Sequence, residues 1–347
     1  MKKIILALAA VAALAACSKS EVEYEATGEI GFVPVTENMT KSMMTGTTFQ
    51  TSEEFNLWAY YKPVNAGSVD NWISDASTAQ TYINEKTFNY RADLTKWGGK
   101  ENPYFWPKTG SLVFTGYYPT TIADNVSHDL ATNTMTFTDV PQSRVAETGY
   151  TEDIMYFNLT PSYASNYVQA EFKHALSWIS VILVKSDDTP DAATITANKV
   201  QFTQVLPTGD ATVTGSEDIV WVADGTSATV DVLENTPAVL AKKNTKVVAY
   251  QPLFIPQNMA GNLVVEYEIK SNDGSKFTET KTIALSGMSG STTSTDGEGN
   301  ETETTEALSK WEPAKHYTYT ITIGTTEILV EPSVKNWTDV EVPVSVQ

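Results

Sequence analysis

Leu263-Val264-Val265-Glu266-Tyr267-Glu268-Ile269-Lys270 decides the fold class. Side chains in an extended chain alternate, so Leu263, Val265, Tyr267 and Ile269 share one face, and Val264, Glu266, Glu268 and Lys270 share the other. The same period recurs in both directions along the chain. Tyr317, Tyr319, Ile321 and Ile323 alternate with threonines. Val168, Ala170 and Phe172 alternate with Gln169 and Glu171, and Met135 and Phe137 with Thr134, Thr136 and Thr138. Phe55, Leu57 and Ala59 oppose Trp58 and Tyr60. Threonine, valine and tyrosine fill these runs, as a pleated, half-buried surface requires. Beyond the first sixteen residues there is no long amphipathic helical pattern. Many short strands bounded by Gly, Pro, Asn and Asp predict an all-β fold of β-sandwiches.

Length and composition narrow the options. The 347 residues suffice for two domains, and an apolar content of 41% suffices for packed cores. The net charge of -19 repels phosphate backbones, so no nucleic acid is expected as a partner. At the amino terminus, Lys2 and Lys3 precede the apolar run Ile4 to Ala16, which is too short to span a bilayer. The run closes as Leu14-Ala15-Ala16-Cys17, and Cys17 is the only cysteine. A signal peptide over 1–16 is expected, with Cys17 as the lipidated first residue of the mature chain, which attaches it to a membrane. A polar, acidic tether is expected over 17–26. Domains are expected over 27–166 and 167–347, and the Ser/Thr/Gly/Glu-rich stretch from Ser286 to about Glu306 is expected to be an exposed loop.

No pattern of catalytic or ligating residues emerges. His128, His174 and His316 are scattered, and no cysteine remains to complete a zinc site. His174 reads as a hydrogen-bonded core residue. Asp296-Gly-Glu-Gly-Asn-Glu301 fails as a calcium loop because its sixth position is Glu301, where the turn needs glycine. Nucleophile-elbow, metalloprotease and phosphate-loop motifs are absent, so no enzyme, cofactor or metal is expected. Trp72, Trp97 and Trp106 either pack over a sandwich edge or offer a platform for sugars.

Several ordered fragments carry a family resemblance. They are Phe55-Asn-Leu-Trp-Ala-Tyr60, Tyr104-Phe-Trp-Pro107, Leu112-Val-Phe-Thr-Gly-Tyr-Tyr-Pro119, Phe172-Lys-His-Ala-Leu-Ser177, Leu253-Phe-Ile-Pro-Gln257, Trp311-Glu-Pro-Ala-Lys-His-Tyr-Thr-Tyr-Thr320 and Val334-Lys-Asn-Trp337. Together they resemble the fimbrillins, the lipoprotein pilins of type V pili in their Mfa-like branch. The resemblance implies two tandem transthyretin-like (Greek-key) β-sandwich domains. It also implies a lipidated precursor at the outer membrane and cell surface, removal of an N-terminal segment, and polymerisation with other fimbrial subunits by strand exchange. The fibre would serve adhesion, with a host or bacterial surface receptor as partner.

Under that resemblance the strand holding Ile30 and Phe32 is the removable one, and Lys41-Ser42 is the processing site. Lysine stands there where the family's known sites favour arginine. Arg91 and Arg144 lie too far inside the domain. The donor is expected over 340–347, where Val340, Val342, Val344 and Val346 share a face opposite Glu341, Pro343, Ser345 and Gln347. Two alternatives stay open. The tail is the last strand of its own domain, or the chain is a monomeric surface lipoprotein that binds glycans or host proteins.

Overall fold

The computed structural model describes residues 24–36, 49–63, 79–141, 153–159, 167–215, 217–233, 237–243, 246–248, 252–295, 301–325 and 327–336. Strands dominate them, with a single 3-10 turn at Thr120–Asn125. Cys17, Lys41, Ser42, Val340, Val342, Val344 and Val346 lie outside the described residues, as do Trp72, Arg144 and the 296–300 stretch.

Seven strands close into a ring. Their order is Met155–Leu159, Val168–His174, Phe32–Thr36, Lys96–Gly99, Gln80–Arg91, Phe55–Lys62 and Ser111–Tyr118, which pairs back to Met155–Leu159. The ring encloses Ile30, Phe32, Phe55, Leu57, Phe88, Phe114, Phe157 and Phe172. Every residue of Phe55–Lys62 is buried. Its two faces serve different cores, with Phe55, Leu57 and Ala59 turned into the ring and Trp58 and Tyr60 turned outward.

The outward face is covered by a second sheet ordered Val220–Asp224, Thr208–Thr214, Thr134–Pro141 and Val126–Asp129. Phe137, Ala211, Val213 and Ile219 meet Trp58, Tyr60, Tyr117 and Tyr156 there. The remainder is a sandwich. Ser177–Lys185, Lys315–Ile323 and Ile328–Asn336 form the centre of one sheet, and Thr194–Val205, Asn262–Lys270 and Lys276–Ala284 make up most of the other. The run that opened the sequence reading lies in Asn262–Lys270, with Leu263, Val265, Tyr267 and Ile269 buried in the sandwich core. The all-β class is thus as expected.

One expectation is corrected. The stretch read as an exposed loop contains the paired strands Ser289–Thr295 and Glu301–Ala307, in register from Ser289↔Ala307 to Thr295↔Glu301. Its first strand also runs parallel to Ile328–Asn336 at Ser333 and Val334. Threonine's β-branched side chain favours the extended backbone even where composition is biased and both faces are polar.

Candidate assembly site

The segment 24–36 is laid onto the ring from outside the main run of the chain. Tyr24–Glu29 pairs with Phe105–Pro107. The Ile30 amide donates to the Tyr104 carbonyl at 2.7 Å. The chain then enters the ring, where Phe32–Thr36 lies parallel to Val168–His174 over five paired positions, Phe32↔Val168 to Thr36↔Phe172. On its other side it meets Lys96–Gly99 at one position, Phe32↔Trp97. The segment therefore fills a slot between two strands that do not pair with each other.

Side chains hold it as well as the ladder. Ile30, Phe32 and Pro34 share the inward face and are buried. The Phe32 ring lies 5.1, 5.2 and 5.9 Å from the rings of Phe114, Phe88 and Phe55, each edge-on, and 6.3 Å from Phe157. Edge-to-face contacts of this kind add to simple burial. Burying Ile30 and Phe32 contributes on the order of 3–6 kcal/mol. Phe49, the first described residue after the linker, is also buried, with its ring 4.6 Å from that of Phe172.

Polar contacts mark the rim. Arg91, at the end of Gln80–Arg91, donates from Nη1 to Glu29 Oε1 at 2.9 Å. Its other edge is held by Asp93, through Nη2 at 2.6 Å and Nε at 3.1 Å. Those hydrogen bonds to Asp93, with the Glu29 charge behind them, raise the Arg91 pKa further, and Arg91 in turn lowers that of Asp93. Above Gly31, the Lys96 ammonium sits 5.2 Å from the centre of the Tyr167 ring. A β-carbon at position 31 would come within 3.1 Å of Lys96 Cδ. Below it, the Val168 amide donates to the Gly31 carbonyl at 2.8 Å.

Of the residues singled out from sequence, Ile30 and Phe32 are brought together inside the ring. The processing, lipidation and donor positions fall outside the described residues. Trp97 and Trp106 are buried, and Trp97 Nε1 donates to the Glu53 carbonyl at 2.8 Å. His174 is a core residue bonded through Nδ1 to Asp153. Arg91, Lys96 and Tyr167 were missed, because no local pattern announces pairing across tens of residues. Gly31 carried a signal: a glycine between two inward apolar residues of a strand marks a close approach.

The chain matches the model of the fimbrillin-like family over residues 40–337. Among solved structures, a fimbrial protein from Bacteroides vulgatus shares 17% identity, with 89% of this chain and 99% of that chain covered and a TM-score of 0.61. A candidate cell adhesion protein from Bacteroides ovatus shares 14% identity over 92% and 99% of the two chains, with a TM-score of 0.49. No curated protein matches the chain.

Proposed function

Because the chain belongs to the fimbrillin-like family, we propose that it is a structural subunit of a cell-surface fimbria, in the shaft or the anchor, serving adhesion. The observation that carries this reading is the inserted segment holding Ile30 and Phe32, which the rest of the ring encloses without chain continuity on either flank. Its withdrawal leaves an apolar groove lined by Phe55, Phe88, Phe114 and Phe157, with an open edge on Val168–His174. A groove of that form takes an extended strand with apolar residues at every second position.

In this reading the precursor is held at the outer membrane through lipid on Cys17. A cut between Lys41 and Ser42 frees the segment, and the Val340, Val342, Val344 and Val346 face of another subunit enters. The tail's four valines offer on the order of 6–12 kcal/mol of burial before association costs. A tail that donates suits a shaft or anchor. An anchor would keep its lipid and remain uncut. We propose no catalytic step, cofactor or metal for this chain. The two-unit organisation, 27–166 and 167–347, stays part of the proposal. We draw its hand-over nearer Ala175-Leu176, a reading supported by Val168, Ala170 and Phe172 in the ring core and Ile179, Val181 and Leu183 in the sandwich core.

Size-exclusion chromatography before and after limited trypsin digestion tests this. Ladder-like oligomers after the cut, with a new terminus at Ser42 by mass spectrometry, are the expected result. Monomers throughout would favour a monomeric surface lipoprotein instead. Deleting 340–347 is expected to abolish the oligomers and leave a folded subunit.

A further inference from the structure

The chain carries the same short pattern twice. Glu29-Ile30-Gly31-Phe32 places an acid, then an aliphatic residue, then a residue without an ordinary side chain, then an apolar residue. Glu341-Val342-Pro343-Val344 repeats that order. The first copy sits in the slot, and each of its members has a visible partner there. Glu29 takes the free edge of Arg91. Ile30 and Phe32 fill the ring. Gly31 passes beneath the Lys96 stem.

We infer that Arg91 sets the register of the incoming strand, by accepting Glu341 of a second copy in the place of Glu29. This rests on the donor-strand reading and adds the position at which the donor locks. Asp93 grips one edge of the guanidinium, so Arg91 keeps its orientation and presents Nη1 at the slot mouth when Glu29 departs. A cut after Lys41 removes Glu29 together with the rest of the leading segment. The side chains of Arg91 and Glu29 are 27% and 19% exposed, so a carboxylate there is partly withdrawn from water and strengthened as a partner.

Only one of the possible alignments satisfies every contact. With Glu341 at Arg91, Val342 replaces Ile30, Val344 replaces Phe32 and Val346 replaces Pro34. Pro343 then falls at Gly31. Gly31 engages the neighbouring strand through its carbonyl, which a proline retains, and a β-carbon at that place comes nearest to the flexible Lys96 stem. Moving the tail by two residues either strips Arg91 of a carboxylate or leaves Phe32's place to Val342 with Pro343 at Val33, inside the parallel ladder. Moving it by one turns the tail over, placing Glu341 at Ile30 in one direction and Ser345 at Phe32 in the other.

The register is tested by cysteine pairs in the full chain, with Cys17 the only other cysteine. Val33 pairs with Gln169. Ser345 therefore lies opposite Gln169 of the next subunit, and Gln169→Cys with Ser345→Cys is expected to give disulfide-linked ladders after the trypsin cut. Glu341→Gln and Arg91→Gln are each expected to slow fibre growth roughly tenfold, and the pair together no more than either alone. Ladders formed instead by Gln169→Cys with Pro343→Cys, or independent effects of Arg91→Gln and Glu341→Gln, would overturn the register while tail deletion still abolished fibres. Fibres that survive deletion of 340–347 would instead remove the donor reading itself.

Discussion

Phe32 is the residue on which the ring core closes. Four aromatic rings converge on it. Phe32→Ala is expected to destabilise the uncut chain by about 3–5 kcal/mol, the range for a large side chain removed from a packed core. Urea titration of the uncut chain measures it. The same substitution is expected to leave matured fibres unchanged, because under the proposed maturation the residue departs with the segment. Two histidines act on the fold through pH. His128 accepts from the Tyr60 hydroxyl at Nδ1, 2.6 Å away, and donates from Nε2 to Asn133. His316 stacks on Trp178 at 3.7 Å and bonds Ser180 through Nε2. Burial, the largest cause, lowers their pKa values to about 4 and about 3. The charge of Asp129 opposes the shift at His128, and that of Lys335 adds to it at His316. Both are neutral in the folded chain at pH 7. The unfolded chain takes up these protons first, near pH 6.5, so stability is complete above that pH and falls as pH drops toward the folded values. The slope is at most about 1.4 kcal/mol per pH unit for each histidine. A denaturant midpoint at pH 5 equal to that at pH 7 would contradict this account, and His316→Gln is expected to flatten the dependence.

Among elements, the leading segment is held by one good edge and one poor one. Five paired positions join Phe32–Thr36 to Val168–His174, against one to Lys96–Gly99. Arg91→Gln in the uncut chain removes the charge that ties down Glu29, a partly exposed pair worth about 1 kcal/mol or less. Hydrogen exchange is expected to quicken at Ile30 and Val168 and to stay unchanged in Asn262–Lys270. This is also the level at which the sequence was most readable. Alternation placed Asn262–Lys270, Lys315–Ile323, Val168–His174 and Thr134–Pro141 because each has one buried face. Phe55–Lys62 was recognised as a strand, but its burial on both faces was not, since large apolar residues on both faces carry no record of which core each one serves. The Ser289–Ala307 hairpin was hidden by biased composition. The parallel neighbour of Phe32–Thr36 was out of reach, because nothing local in Val168–His174 names a partner more than a hundred residues earlier.

Across the molecule, the cores are joined unequally. The ring shares Phe55–Lys62 and Ser111–Tyr118 with the second core, which in turn takes Ala211, Val213, Ile219, Leu253 and Ile255 from the later part of the chain. Among the described residues, the sandwich core draws on Ile179 and those after it. Withdrawal of 24–36 is therefore expected to lower the calorimetric transition of the ring and to leave that of the sandwich in place. A single transition that shifts as a whole would show that the shared second core couples them.

The parallel contact between Phe32–Thr36 and Val168–His174 also orders events in time. During synthesis the leading strand emerges early, while its partner follows more than a hundred residues later. A contact between such distant stretches bears a loop-closure cost that local hairpins avoid, so it forms late. Until then, the groove stands open in every newborn chain, exposed to any strand nearby. The docking of Phe32 that completes the ring thus also closes its groove to other strands, and in the maturation proposed above a cut at Lys41 would reverse both.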